Sequence, residues 1–139
     1  TFEFEDEIAA NIELDSIKRD FLLKGWESYG PGILLSGYID VAEDAGDSAT
    51  IVVYITKEYD ENEAIPSTDP NFSDLNGSLV CYTSNLSLKV FLDAHGQYYV
   101  FFPNKIIEAS GEKTVLAIPI LYMDGVDVAQ GEAKVINIE

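Results

Sequence analysis

Along the first fifteen residues, apolar side chains fall on every second position. Phe2, Phe4, Ile8, Ala10, Ile12 and Leu14 share one parity, interrupted by Asp6. The other parity carries Thr1, Glu3, Glu5, Glu7, Asn11, Glu13 and Asp15, with Ala9 as its one apolar member. A period of two puts the six apolar side chains on one face of an extended strand, whereas at helical spacing they would scatter around the axis. A strand over 2–14 would run about 40 Å at ~3.3 Å per residue, well beyond the ordinary length of ~5–6 residues.

Shorter apolar runs follow. The spacing predicts strands near 17–26, 32–42, 49–59, 78–83, 86–92, 97–102, 105–109, 113–123 and 126–138. Clusters of Gly, Asn, Asp and Pro separate them, as in Tyr29-Gly30-Pro31-Gly32 and Asp93-Ala94-His95-Gly96. Asp124-Gly125 has the composition of a two-residue type I′ hairpin turn. In 86–92 the even positions Leu86, Leu88, Val90 and Leu92 are expected to face the core, with Ser87, Lys89 and Asp93 outward. Residues 60–77, with Pro66, Pro70 and Asn76-Gly77, read as one long loop. Many short strands at this spacing predict a single all-β domain, an antiparallel β-sandwich of jelly-roll type. Residues 1–15 would be its N-terminal strand and 16–139 the sandwich.

Composition narrows the function. The 139 residues suit one domain. With 25 acids against 8 bases and a net charge of −17, the chain lacks the basic footprint of a nucleic-acid binder or of a protein docked on an anionic membrane. No apolar run approaches the ~20 residues of a membrane helix, so membrane insertion is not expected. One Cys and one His cannot supply a disulfide, a Cys/His zinc site or a Cys–His pair within one chain. Cys81 lies in an apolar run and reads as a buried small residue, and His95 reads as an exposed turn residue. No nucleophile with its base is legible, and no carboxylate pair stands out for glycosidase chemistry. The chain reads as a non-enzyme, with no cofactor unless it is calcium.

Calcium takes six to eight oxygens, often from loops. Glu43, Asp44 and Asp47 in one turn, and Asp60, Glu61 and Glu63 in another, are the candidate ligands. Asn71, Asn76 and Asn85 each open an Asn-x-Ser sequon and are candidate glycosylation sites on an exported protein. Trp26, Tyr29 and Tyr38 flank a Gly-Pro-Gly turn and form a candidate stacking platform for a sugar.

The N-terminal pattern points to assembly. A terminal strand with one apolar face can leave its own domain and complete the sheet of a neighbour. Its backbone then supplies hydrogen bonds, and its alternate side chains fill pockets. Phe2, Phe4, Ile8, Ala10, Ile12 and Leu14 would be the plugs. In arrangement the segment resembles subunits of donor-strand surface filaments such as pili and archaeal threads, over about the first 15 residues. The resemblance implies an extracellular or cell-surface structural subunit that forms a head-to-tail homopolymer with copies of itself. The alternative is a monomeric binding module for a carbohydrate or a calcium-dependent partner.

Overall fold

The computed structural model describes residues 10–42, 46–57, 60–67, 69–74, 76–83, 86–109 and 111–137. They form an antiparallel sandwich of two sheets. The strands are β1 (Ala10–Phe21), β2 (Gly32–Val41), β3 (Ser48–Lys57), β4 (Asp60–Ala64), β5 (Val80–Tyr82), β6 (Leu86–Ser87), β7 (Gln97–Pro103), β8 (Thr114–Met123), β9 (Val126–Gln130) and β10 (Lys134–Asn137). Two short helices interrupt them, α1 (Leu88–Asp93) and α2 (Asn104–Glu108).

The spine is the β3–β8 pair, in unbroken register from Ala49↔Met123 to Lys57↔Val115. Ile51, Val53 and Ile55 on β3, with Val115, Ala117 and Leu121 on β8, are fully buried on the inner face. The outer edge of β8 carries β9 and β10, and that of β3 carries β4, β5 and β6. This sheet is therefore four strands wide along β10-β8-β3-β4. The opposing sheet has three strands in the order β1-β2-β7. Its inward residues, among them Ile12, Leu14, Ile33, Leu35, Ile39, Tyr98, Val100 and Phe102, close the core.

β1 pairs antiparallel with β2 from Ala10↔Val41 to Phe21↔Gly32. Its alternation is as expected at first, with Ile12 and Leu14 buried and Asn11, Glu13 and Asp15 exposed. The break expected near Asp15 is an irregularity between Leu14 and Ser16, through which the strand keeps pairing. The expected boundary between residues 1–15 and 16–139 thus falls inside β1. The expectation that Ala10, Ile12 and Leu14 plug a neighbour needs correction in this fold. Ile12 and Leu14 are core residues of their own chain and Ala10 packs against that core. Burying them here gives the same apolar gain that a neighbour's pocket would. Phe2, Phe4 and Ile8 lie outside the described residues.

Four further expectations change. Residues 88–93 form α1 instead of continuing a strand. Leu88 and Phe91 are buried while Val90 is 49% exposed, which is a helical i, i+3 stripe; a short apolar run carries both periods. Leu86 pairs with Ala49 in β6 before the helix starts. The helix ends where His95 and Gly96 take positive φ, and their amides bond back to the carbonyls of Leu92 and Phe91. Residues 104–108 form α2 after Pro103, burying the adjacent pair Ile106 and Ile107, which no strand face could do. The strand expected over 126–138 is split at 131–133, where Gly131 lies against the Ile12 carbonyl with no space for a Cβ. The expected 60–77 loop is built structure. It contains β4, bridges Pro66↔Ser78 and Ser73↔Leu79, and a 3-10 turn at Pro70–Phe72 that inserts Phe72 into the core. The Asp124-Gly125 turn has the expected positive φ at both residues, 51° and 87°.

Two polar contacts fix the small sheet and the hairpin. The Tyr98 hydroxyl crosses beneath Gly37 and donates to the Glu13 carbonyl at 2.7 Å, linking β7 to β1 across β2. Burial pushes the Tyr98 phenol well above its usual range, so it stays a donor throughout the working pH range. A Cβ on Gly37 would collide with the Glu13 carbonyl and the Tyr98 hydroxyl. Gly37→Ala is therefore expected to cost roughly 1–3 kcal/mol by overpacking, and Tyr98→Phe about 1 kcal/mol for the lost hydrogen bond. Urea unfolding of both variants checks this; a Gly37→Ala variant as stable as the parent would refute the crossing geometry.

The Asp124 carboxylate accepts from the Ser48 amide at 3.0 Å, the Asp47 amide at 3.2 Å and the Ser48 hydroxyl at 3.2 Å, tying the hairpin to the start of β3. The Ser48 and Asp47 amides hold its pKa below the usual carboxylate value. A lowered folded-state pKa gives stability that is complete above the unfolded value of ~3.9 and is lost as pH falls through the lower folded value. Asp124→Asn keeps a residue tolerant of positive φ and removes the charge. Its deficit in unfolding free energy should be constant above about pH 5 and shrink below about pH 4. A deficit independent of pH down to acid unfolding would show that the charge contributes nothing.

Candidate functional site

The two long seams between the sheets differ. On one side β1 packs on β8 and β9, and Gly131 seals the join against Ile12. A shallow polar groove remains there, lined by Asn11 to Asp15, Gly131, Glu132 and Lys134. On the other side β7 is the last strand of its sheet among the described residues and faces the short β5. Beside its edge lies a cleft of about 480 Å³.

The sequence places aromatic groups on every wall of this cleft. β7 is apolar on both parities. Tyr98, Val100 and Phe102 face the core, while Tyr99 and Phe101 face outward and, with Leu34 of β2, form the cleft floor. The connection from β1 to β2 folds over this floor. Its Trp26 ring sits 5.4 Å from Tyr29 and 6.4 Å, edge-on, from Phe101. From the opposite sheet, Phe72 packs edge-on to Trp26 and Tyr29, both at 5.5 Å. Cys81 and Tyr82 of β5 complete the wall. Edge-on pairs of this kind add ~0.5–1.5 kcal/mol each beyond the area they bury. Phe72 is 1% exposed, whereas Tyr82 is 50% and Tyr99 53% exposed. The cleft therefore has a rigid base and an uncovered apolar mouth. Burial pushes the Cys81 thiol up, leaving it a neutral apolar lining group.

The rim is basic. Lys105 holds its ammonium 5.1 Å over the Tyr29 ring and 3.4 Å from the Ser28 carbonyl. Lys18 stands 5.3 Å over Phe21, whose ring meets Phe101. Lys24 lies between the lining residues Leu23 and Gly25. Two carboxylates share the rim, each bonded to a backbone amide: Glu27 to Gly25 at 3.0 Å and Asp69 to Asn71 at 2.8 Å.

Of the expected stacking platform, Trp26 and Tyr29 come together here. Tyr38 does not; it lies further along β2, between Glu13 and Gln97 in register. Asn71 is exposed on the rim, and its side-chain amide donates to the Tyr29 hydroxyl at 2.9 Å. Asn76 is exposed in a turn where its amide bonds the Asp74 carboxylate at 2.9 Å. Asn85 lies outside the described residues. Each of the two expected calcium loops is followed here only through its described residues. Asp47 is exposed, with its amide on Asp124, and Glu43 and Asp44 lie outside the described residues. Asp60, Glu61 and Glu63 fall on strand β4. Among the described residues no group of three or more His, Cys, Asp or Glu could hold a metal ion. Cys81 is buried and His95 is an exposed turn residue.

Comparison with protein-family models, characterised proteins and solved structures finds no match to this chain.

The uncovered aromatics are surplus to the fold. Phe72→Ala is expected to cost about 3–5 kcal/mol and to red-shift the emission of Trp26, the chain's single tryptophan. Tyr82→Ala and Tyr99→Ala should each cost under about 1 kcal/mol, as half-exposed positions do. Denaturant unfolding followed by Trp26 fluorescence makes the comparison. A large loss at Tyr99 would make the cleft mouth part of the core.

Proposed function

We propose that the chain is a secreted or surface-displayed structural subunit that assembles head to tail, residues 1–9 of one copy adding a strand to the sandwich of the next. The observation that carries the reading is that β7, aromatic and the last strand of its sheet among the described residues, belongs to a sheet one strand narrower than its partner. Chain direction supports it too. β1 enters the sandwich at Ala10, beside Val41, and the cleft lies toward the other end of β2, near Leu34. A donor leaving one end and an acceptor open toward the other make a heterologous contact that propagates. Because Ala10, Ile12 and Leu14 serve their own core, the donated plugs are Phe2, Phe4 and Ile8.

A second reading has one observation in its favour. The Trp26 and Tyr29 rings lie side by side at an open mouth, as in a platform for the apolar face of a sugar, and a monomeric carbohydrate-binding module would use them so.

Size separates the two. Light scattering and negative stain across a concentration series should show large linear assemblies, and Phe4→Asp or Ile8→Asp should reduce them by more than about tenfold by burying an unpaired charge. Particles that remain at 15.3 kDa at every concentration would overturn assembly and leave the binding module.

A further inference from the structure

We infer that a hollow on the outer face of the large sheet, separate from the aromatic cleft, binds one uncharged sugar ring. The ring's hydroxyls would bond to Thr56, Ser78 and Gln130, and its C–H face would lie on Ile118 and Ile120.

The strands lay the hollow out. On β3 and β8 the inner face is Ile51, Val53 and Ile55 with Val115, Ala117 and Leu121. Tyr54, Thr56, Ile118 and Ile120 therefore stand on the outer face. Tyr54 lies beside Ile118 in register, and Thr56 is the next outward position along β3. β9 borders this patch at Gln130, opposite Ile120, and β4 borders it at Ala64, opposite Thr56. Ser78, bridged to Pro66, joins the lining. The hollow measures about 290 Å³, near the lower end of the ~300–1,000 Å³ of small-ligand sites. That is room for one ring and not for a chain of them.

Thr56 supplies a second, independent observation. An outward position on a sandwich sheet is ordinarily open to water. Thr56 is only 4% exposed, and its Oγ1 is buried with no hydrogen-bond partner. Among the described residues no other buried side-chain polar atom is left so. An unpaired buried hydroxyl costs free energy that a hydrogen-bonding ligand recovers.

The lining selects the chemistry of the ligand. Thr56, Ser78 and Tyr54 bring hydroxyls and Gln130 brings an amide, and each of these groups can both donate and accept. Tyr54 is hydrogen-bonded to Tyr122; burial, with that bond, pushes its phenol up to about 12, so it keeps its proton. None of the described lining side chains is charged. The carboxylates near enough to act on Tyr54 are those of Asp74 and Asp127. A phosphate or carboxylate would meet their repulsion and gain no cation. Sugar hydroxyls donate and accept as the lining does, and the C–H face of a pyranose matches the apolar surface of Ile118 and Ile120.

The test titrates the full chain with the methyl β-glycosides of glucose, galactose and mannose and follows the Ile118 and Ile120 signals by methyl NMR. At least one glycoside is expected to shift both signals saturably, with a Kd on the order of a millimolar. Methyl β-glucuronide should bind about fivefold or more weakly, because of its carboxylate. Thr56→Val should weaken binding about fivefold or more, yet in urea unfolding be at least as stable as the parent, because it removes an unpaired hydroxyl. Gln130→Ala, at an exposed position, should weaken binding about threefold and leave stability unchanged. Trp26 emission, which reports on the aromatic cleft, should not change during the titration. Signals that no glycoside moves up to about 100 mM overturn the site. So does a Thr56→Val variant that binds as the parent does, or one less stable than the parent, which would show the hydroxyl to be paired already. Glucuronide binding as tight as that of the glycosides overturns the uncharged ligand. A change in Trp26 emission that tracks the titration puts the sugar in the aromatic cleft and overturns this site as well.

Discussion

A three-stranded sheet cannot cover a four-stranded one, and this mismatch governs the rest of the molecule. β3 and β8 need an apolar cover along their whole shared ladder, because their inward residues are fully buried from Ala49 through Ile55 and from Val115 to Leu121. The small sheet supplies it over three lanes. The remaining lane is roofed by whatever the connections can spare: the turn carrying Trp26 and Tyr29, and the 3-10 turn carrying Phe72. Rings are effective there because each covers ~150–250 Å² from a single backbone position. They seal the base of the lane and leave its mouth open.

The small sheet holds its position through contacts that tolerate no extra atom. Gly37 lets the Tyr98 hydroxyl reach under β2 to the Glu13 carbonyl, and Gly131 brings the end of β9 onto Ile12. Gly96 packs as closely at the same end of β2, where its carbonyl accepts from the Ile39 amide at 2.8 Å. The Tyr98 and Gly96 contacts tie β1, β2 and β7 to one another, and Gly131 fastens that sheet to the β8–β9 side. One seam is closed by this anchoring, and at the other β7 is the last strand of its sheet among the described residues.

How much of this was legible in the sequence depended on which residues carried an unambiguous period. β2, β3 and β8 were found nearly to the residue because each is a ten-residue run rich in apolar residues next to clear turn residues, and the Asp124-Gly125 turn because few other pairs accept two positive φ angles. α1 and α2 were missed because six and five residues carry too few apolar positions to separate a period of 3.6 from a period of 2. The 60–77 segment looked like a loop because Pro and Asn dominate it; Phe72 enters the core through tertiary contacts that no local pattern records. The cleft was half visible. Trp26 and Tyr29 stood out beside the Gly-Pro-Gly turn, but Tyr38 was grouped with them by sequence distance alone. The overlooked signal was Tyr98-Tyr99-Val100-Phe101-Phe102: aromatics on both parities of one strand mean that its outer face also needs a cover.

Charge then decides what kind of cover is physically acceptable. Two bodies of −17 repel, and at physiological salt that repulsion is screened beyond ~8 Å. A flat interface between such bodies would bring many carboxylates within that distance. An extended arm of the kind proposed above would not, because it would carry the contact away from both bodies. The alternating N-terminal pattern and the aromatic edge of β7 are separate features of the sequence, and the head-to-tail assembly proposed above would use both, joining strongly acidic domains through one narrow strand.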